Sequence, residues 1–170
     1  MSFKKSIKQL AAYVNVTEMA ILIWGPGGEG GEHYEKREKI RQAIKNTFPQ
    51  ADVHFSEDPE LKKITPGADE LTVPEQELWH LGACDVCIVL DTSKGAGEEV
   101  AHFVASRFAY KLLILTSDRY KDATSFPAAL RQGKNQIFYS EEEYRSCSLT
   151  SRVMTRVEIN ALGKFAGLRT

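Results

Sequence analysis

The chain has 170 residues, of which 42% are hydrophobic and 26% charged, and its formal net charge is -1 at pH 7. These values predict one soluble globular domain with a core of its own. They exclude a global attraction to nucleic acid or an anionic membrane, and no apolar run approaches the roughly 20 residues of a bilayer span.

The N-terminal stretch MSFKKSIKQLAAYVNV has neither the continuous apolar segment nor the cleavage signature of a secretory signal. It reads as an amphipathic helix over about 3–14, with Phe3, Ile7, Leu10 and Val14 on one side. Residues 19–25 form the first strand, which runs into the glycine-rich loop GPGGEGG. A helix is predicted from about His33 to Thr47, with Tyr34, Ile40, Ile44 and Phe48 as its inner stripe and Pro49 ending it. Residues 51–56 are the second strand. Residues 57–71 read as a polar loop, long enough to be a lid or binding loop.

Thr72-Val-Pro-Glu75 carries a capping box and an early proline, a strong helix start, and Gly82 is the predicted stop. Residues 85–91 read as a buried central strand, followed by a helix over about 97–110, a fourth strand over 112–116 and a fifth over 136–140. A C-terminal helix over about 150–166 spaces Val153, Val157, Ala161 and Phe165 by four. This alternation predicts a single α/β domain over 1–170: three layers, α/β/α, around a doubly wound, flavodoxin-like sheet of five parallel strands.

Ligands of such sheets bind beyond the carboxyl ends of the strands, where the strand order reverses. The two segments richest in glycine, GPGGEGG after strand one and DTSKGAG after strand three, fall at that edge. Gly25-x-Gly27-x-x-Gly30 formally fits the dinucleotide fingerprint, with Glu57 as the acidic residue after strand two. However, Gly31, Glu32, His33 and Tyr34 follow, where that fingerprint needs small or apolar residues packing on the strand. The first loop is better suited to approach a nucleotide's sugar or base. Gly25, Gly27 and Gly28 permit close contact, and Trp24 or Tyr34 offers a stacking face.

In the second loop, Gly95 and Gly97 leave backbone N–H groups free for an anion at a helix start, and Ser93 adds a hydroxyl. Glu99 shares a helix face with Phe103, and Glu98 shares one with His102. That spacing directs Glu99 into a half-buried cleft as a nucleophile or base and leaves Glu98 as a capping carboxylate. Asp91 is a candidate second acid. Acidic residues are also common in first helical turns, so both glutamates equally fit an ordinary helix start.

Four histidines (33, 54, 80 and 102) show no metal-ligand spacing, and neither metal nor cofactor is expected. Cys84 and Cys87 lie on or beside a strand with no second pair, which points to reduced, structural cysteines in a cytoplasmic protein. Trp79 is expected in core or interface, and Tyr110 and Tyr139 in packing.

The segment Ser93-Lys-Gly95-Ala-Gly97-Glu-Glu99-Val resembles the Ser-x-Gly-x-Gly-x-Glu motif of 2′-deoxynucleoside 5′-phosphate N-hydrolases. It is also similar to the glutamate-bearing helix start of nucleoside 2-deoxyribosyltransferases. The likeness covers roughly residues 19–117. It implies cleavage of an N-glycosidic bond, with Glu99 attacking the anomeric carbon, Ser93 binding a 5′-phosphate, and Gly95 and Gly97 forming the phosphate loop. Asp91 would be the general acid or the sugar-hydroxyl partner. Gly25 and Gly27 correspond to the family's first loop by position. The resemblance further implies a homodimer, with the terminal helices as candidate contacts. Toll/interleukin-receptor-like domains, more distantly similar, imply NAD cleavage as an alternative, and a non-catalytic nucleotide-signal sensor is a third.

Overall fold

The computed structural model describes residues 2–26, 28, 30–91, 100–121 and 135–168, with Asp91 described by its backbone alone. Five strands, β1 (Ala20–Trp24), β2 (Asp52–Phe55), β3 (Val86–Asp91), β4 (Leu112–Ser117) and β5 (Gln136–Tyr139), form one sheet in the order β2-β1-β3-β4-β5. Every neighbouring pair is parallel. This is the flavodoxin-like order, and its direction reverses at β1, beside β3.

The helices are α1 (Phe3–Val14), α2 (Glu32–Thr47), α3 (Pro59–Ile64), α4 (Val73–Ala83), α5 (Glu141–Ser146) and α6 (Leu149–Phe165), with a further helical turn at 100–103. They cover both faces of the sheet, which is why the strands read as apolar runs rather than alternating ones. On one face Ile21, Ile23, Phe55, Ile88 and Leu90 pack against Ile40, Ile44 and Phe48 of α2 and Val153 and Val157 of α6. On the other, Leu22, Trp24, Val89 and Ile114 pack against Leu61 of α3, Leu81 of α4, and Val100 and Phe103. Asp85 ties the layers together at the amino end of the sheet, where its Oδ2 accepts from the Ala20 amide at 2.8 Å and from Lys164 of α6 at 2.7 Å.

The capping box at Thr72 and Glu75 forms as its sequence predicts. Elsewhere the structure departs from expectation. Residues 57–71 are not one loop, because Asp58-Pro59 starts the short helix α3, with proline in the first turn where its missing N–H costs nothing. Gly82 does not end α4. It gives room to the Phe108 ring, since a Cβ there would lie 3.3 Å from Phe108 Cζ. The end of α4 is held instead by Lys111, whose Nζ donates to the carbonyls of Gly82 and Cys84 at 2.6 Å each.

Among the described residues the helix expected over 97–110 ends at 103, and a turn leads to a 3-10 segment, Ala109–Lys111, that leaves Tyr110 exposed. Trp79 is exposed as well, whereas Tyr139 is buried and stacks on Tyr144 at 5.3 Å. Of the apolar side of α1 only Val14 is buried, and Phe3, Ile7 and Leu10 face solvent. Cys84 and Cys87 are buried and free. Burial pushes the Cys84 thiol up to about 12 and Cys87 well above its ordinary range, so neither supplies a thiolate at neutral pH. Among the described residues no helix is long and apolar enough to cross a membrane.

At the carboxyl end of β1 the backbone passes too close to its neighbours for a side chain. A Cβ on Gly25 would lie 3.0 Å from Leu90 Cβ and 3.2 Å from Arg37 Cδ. Gly25→Ala is therefore expected to destabilise the fold by about 1–3 kcal/mol through overpacking, read as a lower urea midpoint. An unchanged midpoint would mean that the β1–β3 contact gives way freely.

Candidate functional site

The crevice at the switch point lies between the carboxyl ends of β1 and β3. On the β1 side it begins at Trp24 and Gly25, and on the β3 side at Leu90 and Asp91, whose register partner in β4 is Thr116. Thr116 and Ser117 are buried polar residues at the same edge.

Trp24 does not present its ring to the loop. It is 2% exposed and packs against Phe103, with centroids 5.1 Å apart and planes at 48°. Tyr34 is half-buried and meets Phe55 edge-on at 5.4 Å. Gly25 acts through the close approach described above. Gly28 is exposed, and its carbonyl accepts from the Gly31 amide at 3.2 Å, closing a turn. Gly30 holds a positive φ of 86°, a conformation costly for any side chain but glycine's hydrogen. Gly27, Ser93, Gly95, Gly97, Glu98 and Glu99, together with the side chain of Asp91, lie outside the described residues.

What sequence reasoning missed is Arg37. This α2 residue is wholly buried, and its guanidinium donates from Nη1 to Glu57 Oε2 at 2.9 Å and from Nη2 to Glu57 Oε1 at 2.6 Å. The paired geometry is the strong, planar form of the arginine–carboxylate contact. Phe55 and Tyr34 place their rings 4.6 Å and 5.6 Å from the guanidinium carbon. The signal was present in the spacing, because Tyr34, Arg37, Ile40 and Ile44 fall on one stripe at intervals of three and four. An arginine on a buried stripe demands an acid, and Glu57, just past β2, is the one that reaches it.

Glu57 therefore has both carboxylate oxygens engaged by arginine, which argues against its serving as the ribose ligand of a dinucleotide fold. Partial burial pushes its carboxyl up, but the hydrogen bonds and charge of Arg37 outweigh this and hold it below the usual range. His33, at the start of α2, has its Nδ1 in a hydrogen bond with the Tyr144 hydroxyl on α5. His102 is exposed and sits edge-on to Phe103 at 5.2 Å. Among the described residues no group of three histidine, cysteine, aspartate or glutamate side chains is placed to hold a metal ion.

No known family model matches the chain, and no curated protein matches it.

Removing the Glu57 charge leaves a buried guanidinium without its anion. Glu57→Gln is expected to cost about 1–2 kcal/mol, less than the roughly 3–5 kcal/mol of a fully buried pair, because Glu57 is half-exposed and screened by water. A lowered carboxyl pKa in the folded state contributes stability above the ordinary glutamate value of about 4.3, lost as pH falls through the folded value. Urea unfolding of the wild type should therefore weaken below about pH 4.3, and Glu57→Gln should flatten that part of the profile. Parallel profiles would show that the pair contributes nothing to folding.

Proposed function

We propose that the chain cleaves the N-glycosidic bond of a nucleotide or nucleoside through a glutamate nucleophile, Glu99. The observation that carries this reading is positional. In sequence the Ser93–Glu99 motif starts two residues past Asp91, and Asp91 is the last residue of β3, the strand that neighbours β1 at the reversal point. Phe103, four residues beyond Glu99, is buried against Trp24, which supports an inward-facing side for that helix.

In the proposed reaction a carboxylate oxygen of Glu99 bonds to the anomeric carbon as the bond to the base breaks. The base leaves with a proton supplied by Asp91. Water then attacks the glycosyl ester, releasing the sugar and restoring both carboxyl groups, in the two-step manner of retaining glycosidases. Ser93 and the backbone around Gly95 and Gly97 bind a 5′-phosphate, and the first loop, with Gly27 and Gly28, lies along the sugar and base.

The reading includes a homodimer. The exposed stripe of α1, Phe3, Ile7 and Leu10, and the exposed Leu162 and Phe165 of α6 offer an apolar contact surface for it. Free cysteines fit a reducing, cytoplasmic setting.

The test is mass spectrometry of products after incubation with nucleosides, deoxynucleoside monophosphates and NAD. Wild type should release free base, Glu99→Ala should lose at least about 10³-fold in rate, and Ser93→Ala should raise KM for 5′-phosphorylated substrates while sparing nucleosides. Nicotinamide release alone would redirect the reading to NAD cleavage. Base release undiminished in Glu99→Ala would overturn it.

A further inference from the structure

Charge is unevenly spread over this nearly neutral chain. Residues 2–17 hold Lys4, Lys5 and Lys8, all exposed, and no acid. The stretch 52–79 is the reverse. Besides Glu57, which Arg37 neutralises, it exposes Asp52, Glu60, Asp69, Glu70 and Glu75 against two lysines, Lys62 and Lys63.

Apolar surface follows the same division. On α1 the stripe Phe3, Ile7 and Leu10 is exposed, and Phe3, at 81%, is the most exposed large apolar side chain among the described residues. Lys4 and Lys8 each follow a stripe residue and so flank it, about 100° round the helix. On the acidic side Ile64 and Trp79 are exposed at the border of a cavity of about 180 Å³, whose lining also includes Ala20, Leu22 and Asp52. That is room for one phenyl ring, since an apolar cavity of about 150 Å³ holds benzene. The two surfaces do not meet within a chain. Val14 anchors α1 in the core on the α2–α6 side of the sheet, whereas Leu61 of α3 and Leu81 of α4 belong to the core on the other side.

We propose that the α3–α4 face is a docking surface for α1 of a second copy of this chain. Phe3 of one copy enters the cavity between Ile64 and Trp79 of the next, and the lysines of α1 lie toward the acids around it. Opposite charge sets the orientation, and the apolar stripe supplies the contact area. Such a contact is heterologous: each copy offers α1 on one side and the acidic face on the other, so copies join head to tail into a ring or an open chain. An anionic bilayer would match the lysines, but it has no hole for Phe3. The contact leaves Leu162 and Phe165 of α6 to the homodimer proposed above, and it does not rest on the glycosidic reading.

The experiment is sedimentation velocity of the full chain over a concentration series. Wild type should keep gaining mass with concentration in about 0.1 M salt. Association should weaken about tenfold in about 1 M salt, where the screening length falls from roughly 10 to 3 Å. Phe3→Asp and Trp79→Asp, both at exposed positions, should each lose that growth, with circular dichroism confirming the fold. Should Trp79→Asp disturb the fold, Asp69→Lys combined with Glu70→Lys takes its place. Mixed in equal amounts, the two variants should give a species of twice the mass of either alone. The Phe3→Asp chain keeps its acidic face and the Trp79→Asp chain keeps its α1, so one contact per pair returns. A mixture no heavier than its parts, a wild type of constant mass, or growth that survives either variant would overturn the proposal. Wild type that holds one mass yet sediments with phosphatidylserine vesicles would overturn it in favour of a membrane contact.

Discussion

A guanidinium with no exposure to water must be neutralised where it lies, and in this fold that requirement organises the sheet edge next to the reversal point. Arg37 descends from α2 beneath Gly25, and Glu57, just past β2, comes back to meet it with both carboxylate oxygens. The same contact ties α2 to the residues just past β2, and Phe55 and Tyr34 place their rings around the cation. Gly25 is the backbone complement of that arrangement, since any side chain there would strike either Leu90 or Arg37. A preorganised edge of this kind suits a ligand site, whose groups are best held by elements that do not shift when the ligand arrives.

The architecture was readable from sequence because its signals are local. Five apolar runs separated by helical patterns, a proline in the first turn of α4 and its capping box each specify their own stretch of chain without reference to distant residues. The departures come from tertiary terms. Gly82 carries the composition of a helix stop, but packing against Phe108 and the hydrogen bonds of Lys111 decide where α4 ends. The helix after β3 has continuous periodicity to Tyr110, yet it turns after 103 so that the chain can enter β4. Asp58-Pro59 is the start signal of α3, set among polar residues whose composition favours a loop.

The candidate site was readable in part. Its position between β1 and β3 follows from strand order, and the structure puts Trp24, Gly25 and Asp91 at that edge. The roles of the aromatic residues were not readable, because a tryptophan at a strand end looks the same in sequence whether it lines a cleft or fills the core. Trp24 fills the core. Arg37 was legible only as a position on the stripe of Tyr34, Ile40 and Ile44, and its partner, twenty positions away, comes beside it only in the fold.

The central claim concerns the crevice at the carboxyl end of β1, and a trapped intermediate tests it most directly. A 2′-fluoro-2′-deoxynucleotide slows glycosyl transfer, because fluorine withdraws electrons from the oxocarbenium-like transition state. Incubated with the protein and followed by intact-mass and peptide mapping, it should leave one fluorosugar phosphate esterified to the peptide at Glu99. Base release with no adduct, or an adduct on any other residue, would contradict the assignment of Glu99 as the nucleophile.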